Sequence, residues 1–185
     1  MVPQVSIVRT IVVMGVSGSG KSTIASELAT QIGAEFCDAD WLHTPENLAR
    51  MANGQALSDE DRWPWLHTVG EHMKHFESNA RSSVTACSAL KKSYRDVLRE
   101  HVPDAFFVFL DGPFEVIQAR IDARSHEFMP PSLLASQFET LEPLDDDELG
   151  KRINIELDPD EVVSAIVAEL KPPNMARKLN NEGLQ

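Results

Sequence analysis

Eight consecutive residues, Gly15-Val16-Ser17-Gly18-Ser19-Gly20-Lys21-Ser22, have the types and spacing to handle phosphate. Their three glycines permit a tight turn in which successive backbone N–H groups converge, as in a P-loop. Lys21 is placed to reach β- and γ-phosphates. Ser22 offers a hydroxyl oxygen of the kind a hard cation such as Mg²⁺ accepts. The stretch follows an apolar run, Thr10 to Met14, and opens a helical pattern from Thr23 to Gln31, so the positive end of a helix points at the same spot. Gly15 to Ser22 together with Thr23 are therefore the expected nucleotide-phosphate ligands.

A second chemical feature is Asp38-Ala39-Asp40, at the exit of a short strand read over Glu35 to Cys37. Carboxylates at a strand's carboxyl end lie where ligands bind in α/β sheets. The same pair has a second reading, as caps of the helix that follows.

The composition narrows the partner. A net charge of −12 and a pI near 4.8 argue against a general nucleic-acid binder, which needs cationic surface to displace counterions. A small anionic acceptor must instead be held by a local group of Arg, Lys and His standing against the overall field. Nothing indicates a membrane protein. Cys37 and Cys87 each end an apolar run and read as buried thiols, in keeping with a reducing cytosol. Residues 1–9 lack the apolar core of a signal peptide, so the expected location is cytoplasmic.

The elements that must position these groups alternate strand and helix. Gly33 reads as a C-cap, Pro45 as a helix start and Asn53-Gly54 as its stop. Ser58-Asp59-Glu60-Asp61 reads as a cap with an acidic first turn for a longer helix through Trp65, Leu66, Val69, Met73 and Phe76. Ser83 to Cys87 is a strand with Ser88 to Lys92 at its exit, followed by a helix through Tyr94 and Leu98. Ala105 to Leu110 reads as a central strand covered on both faces. A helix over Phe114 to about Arg124 follows, then a break, then a helical pattern from Leu133 to Leu141. Asp145 to Glu148 reads as a solvated acidic loop, Ile153 to Leu157 as a last strand, and Asp160 to Leu170 as a last helix. The expected fold is an α/β, three-layer α/β/α P-loop architecture with about five parallel strands, helices on both faces and a small lid. The expected organisation is one domain over residues 9–172, with the lid at about 124–141 and flexible tails at 1–8 and 173–185.

Among phosphate-binding classes, a GTPase switch needs an Asn-Lys-x-Asp base-reading motif, which is absent. Its Asp-x-x-Gly has one match, Asp147 to Gly150, in the acidic loop. A large motor does not fit one small domain. A small-molecule kinase remains, with an acceptor held near the second strand and a lid that excludes water.

Five motifs in order sharpen this. They are Met14 to Ser22, Asp38-Ala39-Asp40-Trp41-Leu42-His43, Leu57-Ser58-Asp59-Glu60-Asp61-Arg62-Trp63-Pro64-Trp65-Leu66, Cys87-Ser88-Ala89-Leu90-Lys91-Lys92-Ser93-Tyr94-Arg95-Asp96 and Ser136-Gln137-Phe138-Glu139-Thr140-Leu141-Glu142. From Ile11 to about Leu170 the chain resembles the gluconokinase family, within the adenylate- and shikimate-kinase-like branch of P-loop kinases. The resemblance implies ATP- and Mg²⁺-dependent phosphorylation of D-gluconate at its 6-hydroxyl, and relatives suggest a homodimer. It implies Lys21, Asp40 and Arg124 as catalytic groups, Asp40 orienting or deprotonating the hydroxyl. It places Asp38 with Ser22 at the metal, although the roles of Asp38 and Asp40 are exchangeable. His43, Arg50, Asp61, Arg62 and Lys91 are the implied acceptor contacts, and the cations among them the expected local cluster. Arg120 and Arg124 are the implied phosphate-neutralising arginines. In the lid the chain departs from the family pattern, with His126 one place early and Glu127 in its slot. The alternatives are a kinase of another hydroxylated acid such as shikimate, or a non-catalytic nucleotide-binding protein.

Overall fold

The computed structural model describes residues 9–123 and 131–170. Five parallel strands, β1 (Thr10–Met14), β2 (Glu35–Asp38), β3 (Ser83–Ala86), β4 (Phe106–Asp111) and β5 (Gly150–Asn154), form one sheet in the order β2-β3-β1-β4-β5. The helices between them are α1 (Lys21–Ile32), α2 (Pro45–Ala52), α3 (Asp59–Ser78), α4 (Lys92–His101), α5 (Phe114–Asp122), α6 (Pro131–Thr140) and α7 (Pro159–Leu170), with a 3₁₀ turn at Ala39–Leu42.

Side-chain alternation along β1 and β4 divides the core. Ile11, Val13, Val108 and Leu110 face α1, α5 and α7, where they join Leu28, Ile117, Ile121 and Ile166. Val12, Met14, Phe107 and Phe109 face the other way and pack with Trp65, Leu66, Met73 and Leu98 of α3 and α4. Every residue of β1 is buried, as expected of a central strand covered on both faces. Because the sheet is parallel and β1 is central, the loop leaving β1 lies between the exits of β3 and β4. The Gly15 N–H donates to Ser88 O across 3.3 Å, and a Cβ on Gly15 would come within 2.8 Å of Leu110 O.

Most element starts and stops follow local chemistry. Gly33 ends α1 in the left-handed region at φ 66°, and Thr44 with Pro45 begins α2. Ser58 and Asp61 cap α3 reciprocally. Two expectations shift. β5 runs over Gly150–Asn154, three residues before the apolar run that suggested it, because pairing with Phe107 to Asp111 sets the edge strand's register. The acidic loop is also not wholly solvated. Glu148 turns inward, its side chain 2 % exposed, where Arg95 and Arg99 meet it. Cys37 and Cys87 are buried thiols as expected, and burial pushes them up to about 11 and about 12. Helix α6 lies in the part of the chain expected as the lid. Residues 1–8, 124–130 and 171–185, which include His126, Glu127 and the expected tails, lie outside the described residues.

Candidate active site

The phosphate cradle is built from backbone. Gly15, Gly18 and Gly20 hold φ values of 146°, 78° and 96°, a region costly for any side chain. At Gly18 a Cβ would also press into Ile121 at 2.6 Å. Helix α1 starts at Lys21 with no capping side chain and no acidic residue in its first turn. Its positive end is therefore left for a ligand. Lys21 Nζ folds back to donate to Val16 O at 2.9 Å, and Ser19 Oγ is buried without a hydrogen-bond partner. A buried hydroxyl in a ring of N–H groups fits a phosphate oxygen. From the facing helix, Gln137 Oε1 accepts the Ser17 N–H at 2.7 Å.

The oxygen set for a hard cation lies beside the cradle. Ser22 Oγ donates to Asp38 Oδ2 at 2.6 Å, so a hydroxyl and a carboxylate from different elements share one point. This donor chemistry fits Mg²⁺. Asp38 also caps the 3₁₀ turn, its Oδ1 accepting the Asp40 N–H at 3.1 Å. The capping reading and the metal reading thus describe the same side chain. Asp40, two residues further, is 75 % exposed, with His43 Nε2 3.9 Å from its Oδ1.

His43 differs from a member of a cationic cluster. It is buried, stacked on Trp65 with ring centroids 4.1 Å apart, and Trp65 Nε1 donates to Ala39 O. Burial, with the Arg62 charge nearby, lowers it to about 4, so the imidazole is neutral at pH 7. Its Nδ1 is buried without a hydrogen-bond partner.

The cations expected to hold the acceptor are brought to one place but arrive paired. Arg50 lies 2.8 Å from Asp61, whose pKa is lowered first by the Ser58 backbone N–H and then by its other donors. Lys91 donates to both oxygens of Asp59, at 2.9 and 2.8 Å, and Tyr94 Oη donates to Asp59 at 2.5 Å. These bonds lower Asp59 and raise Lys91, so both stay ionised. Arg62 has no carboxylate partner among the described residues. Its Nε donates to Leu57 O, and its guanidinium lies 5.8 Å from the Tyr94 ring centre, with Lys91 Nζ 5.4 Å from the same centre. At the exit of β3 burial is the main cause that raises the Cys87 thiol, with the Asp40 charge adding to it and those of Lys21 and Arg62 opposing it.

Arg120 donates to Ile155 O at 2.6 Å, tying α5 to the segment after β5. Arg124 lies outside the described residues. The sequence reading missed the partners of the site. Asp59 was legible only as part of an acidic helix start. Tyr94, Gln137 and Glu142 lay within quoted motifs that named no role for them.

The family model for adenylylsulphate kinase matches residues 8–125, the part of the chain that carries the P-loop and Lys91. The thermoresistant gluconokinase of Escherichia coli is 43 % identical over 157 residues, covering 85 % of this chain and 88 % of that protein. The gluconokinase of Arabidopsis thaliana is 41 % identical over 172 residues, covering 86 % and 90 %. The chain belongs to the gluconokinase family. A crystal structure of a gluconokinase from Sinorhizobium meliloti superposes with a TM-score of 0.80 at 43 % identity, covering 88 % of this chain and 93 % of that one. The gluconokinase relatives therefore match beyond residue 125, where the adenylylsulphate kinase model stops. At 18 % identity and a TM-score of 0.68, the adenylylsulphate kinase of Mycobacterium tuberculosis shares the fold, covering 89 % of this chain and 98 % of that one. No helix among the described residues is long and apolar enough to cross a membrane.

Proposed function

We propose that this chain transfers the γ-phosphoryl group of ATP to the 6-hydroxyl of gluconate. The observation that carries the reading is the Ser22 hydroxyl bonded to the Asp38 carboxylate beside a helix start that has no capping side chain and no acid. Gly15 to Thr23 wrap the phosphates, and Lys21 leaves Val16 O to lie along the β- and γ-phosphates. Ser22 and Asp38 would hold Mg²⁺, whose chemistry is to neutralise phosphate charge when it is bound.

Arg62 and Lys91 take the gluconate carboxylate, while Arg50, Asp61 and neutral His43 meet its hydroxyls. Asp40 accepts the proton of the attacking hydroxyl as its oxygen bonds to the γ-phosphorus, and the bond from that phosphorus to the bridging oxygen breaks, leaving ADP. Arg120, which ties α5 to the segment after β5, and Arg124, which lies outside the described residues, are assigned the neutralisation of phosphate charge.

A coupled ADP-release assay over a panel of sugar acids tests this. Gluconate is expected to give the highest kcat/KM, with no turnover of shikimate; a preference for another acid would reassign the acceptor pocket while leaving the phosphate cradle untouched.

A further inference from the structure

Helix α4 begins awkwardly. Its N-cap is Lys91, which makes no side-chain capping bond, and its first turn holds no acid. The missing cap comes from elsewhere in the chain: Glu142 Oε2 accepts the Lys92 N–H at 2.5 Å, and the Glu142 N–H donates to Leu90 O at 2.8 Å. Glu142 thus grips the backbone on both sides of Lys91.

The same stretch holds a second anchor five residues earlier. Gln137, on α6, accepts the Ser17 N–H of the phosphate cradle. Between the two anchors, the Leu141 N–H donates to Gln137 O, and Leu134 and Phe138 pack α6 against the core and Phe114. The acceptor end is locked further from beneath. Arg95, 0 % exposed, donates to Ala89 O, Leu90 O, Glu142 O and Pro143 O, and its fork is closed by Glu148. Ala89 is held at φ 42°, a conformation an alanine keeps only where its surroundings impose it.

We infer that Gln137 and Glu142 are positioning residues at the two ends of one strut, which sets the distance between the phosphate cradle and Lys91. The inference rests on the proposed acceptor role of Lys91. In-line transfer depends on sub-ångström placement of donor and acceptor, so a strut fixed at both ends acts on kcat.

Initial rates with ATP and gluconate both varied, for Gln137→Ala, Glu142→Ala and the double variant, test it. Each single change is expected to lower kcat about tenfold, with either KM moving less than about threefold. The double variant is expected to lose about tenfold as well, because releasing one end already frees the other. Glu142→Gln, which keeps an acceptor oxygen for the Lys92 N–H, should retain most of kcat. Two independent local roles would overturn the inference: Gln137→Ala raising only the ATP KM, Glu142→Ala raising only the gluconate KM, and the losses multiplying. Should Glu142→Ala fail to fold, Glu142→Asp, too short to span the same gap, takes its place in the cycle. Lys91→Met separates the two readings, since an unchanged gluconate KM there rejects Lys91 as an acceptor contact while the kcat cycle still reports on the strut.

Discussion

The proposed phosphate cradle is made by consecutive residues that offer their backbone, whereas the proposed acceptor side gathers side chains from the 3₁₀ turn, α2, α3 and α4. In the cradle, glycine conformations and a helix start with no acid leave positive potential unspent. On the acceptor side the positive charges are already largely spent, Arg50 on Asp61 and Lys91 on Asp59. The difference teaches how a strongly acidic protein holds two anionic ligands. One site relies on fixed dipoles, which need no counter-charge. The other keeps its cations in place with carboxylates, at the cost of weaker net attraction, and Arg62 alone among its cations has no carboxylate partner among the described residues. The two starts of α1 and α3 show the same contrast. α3 opens with Ser58, Asp59, Glu60 and Asp61, and of those acids Asp61 and Asp59 are the ones that orient Arg50 and Lys91.

The contrast is broken most severely on the donor side. Lys21→Ala is expected to lower kcat by about 10³-fold or more with the thermal midpoint unchanged, because a charge delivered to the transferring phosphoryl group is lost. Asp40→Asn comes next, with about 10²- to 10³-fold lost in kcat and little change in either KM, as measured by ADP release; a fully active variant would remove Asp40 from the chemistry. Arg62→Ala should separate the sides most cleanly. Its gluconate KM should rise about tenfold to a hundredfold while the ATP KM holds, since one charge-assisted hydrogen bond to a carboxylate is removed. Asp59→Asn sharpens the comparison from the other direction. It frees Lys91 from its carboxylate, so the gluconate KM should change by only a few-fold, in whichever direction orientation or charge dominates; a change as large as that of Arg62→Ala would mean Lys91 is positioned by Asp59 and not merely neutralised.

The smallest effect is on stability and pH. His43 is lowered by burial, so between its ordinary value near 6.5 and about 4 the unfolded chain binds a proton that the folded chain refuses. Stability should therefore fall as pH drops through that window and stop falling on this account below about 4. Glu148 adds a lower window. Burial alone would raise it, but the Arg95, Asp145 backbone and Arg99 hydrogen bonds prevail and hold it at about 2, so its contribution is present above 4.5 and lost as pH falls toward 2. Urea unfolding of wild type and His43→Gln at a series of pH values separates the two. The variant should lose the share of the upper slope that His43 supplies, while the share of His72, also lowered by burial, and the lower slope remain.

Much of this was legible in the chain because it depends on neighbours in sequence. The Gly15–Ser22 spacing, the Gly33 stop, the Ser58 cap and the apolar run of β4 are each read from a few adjacent residues, and the structure has them within a residue or two. Asp38 and Asp40 were found because a strand exit is a local event. What escaped was decided by pairs far apart. Nothing near Glu148 says that it points inward; Arg95, 53 positions earlier, decides that, and so the acidic loop is only partly solvated. His43 looked like a cation until Trp65 covered it.

The sequence by itself determined the glycine-rich turn and the helix start that the proposed function assigns to phosphate, because both are properties of contiguous residues. Tertiary structure alone decided the charge that each acceptor group presents. Whether a histidine is neutral, or an arginine already paired, is settled by burial and by distances between remote residues, which no local pattern encodes.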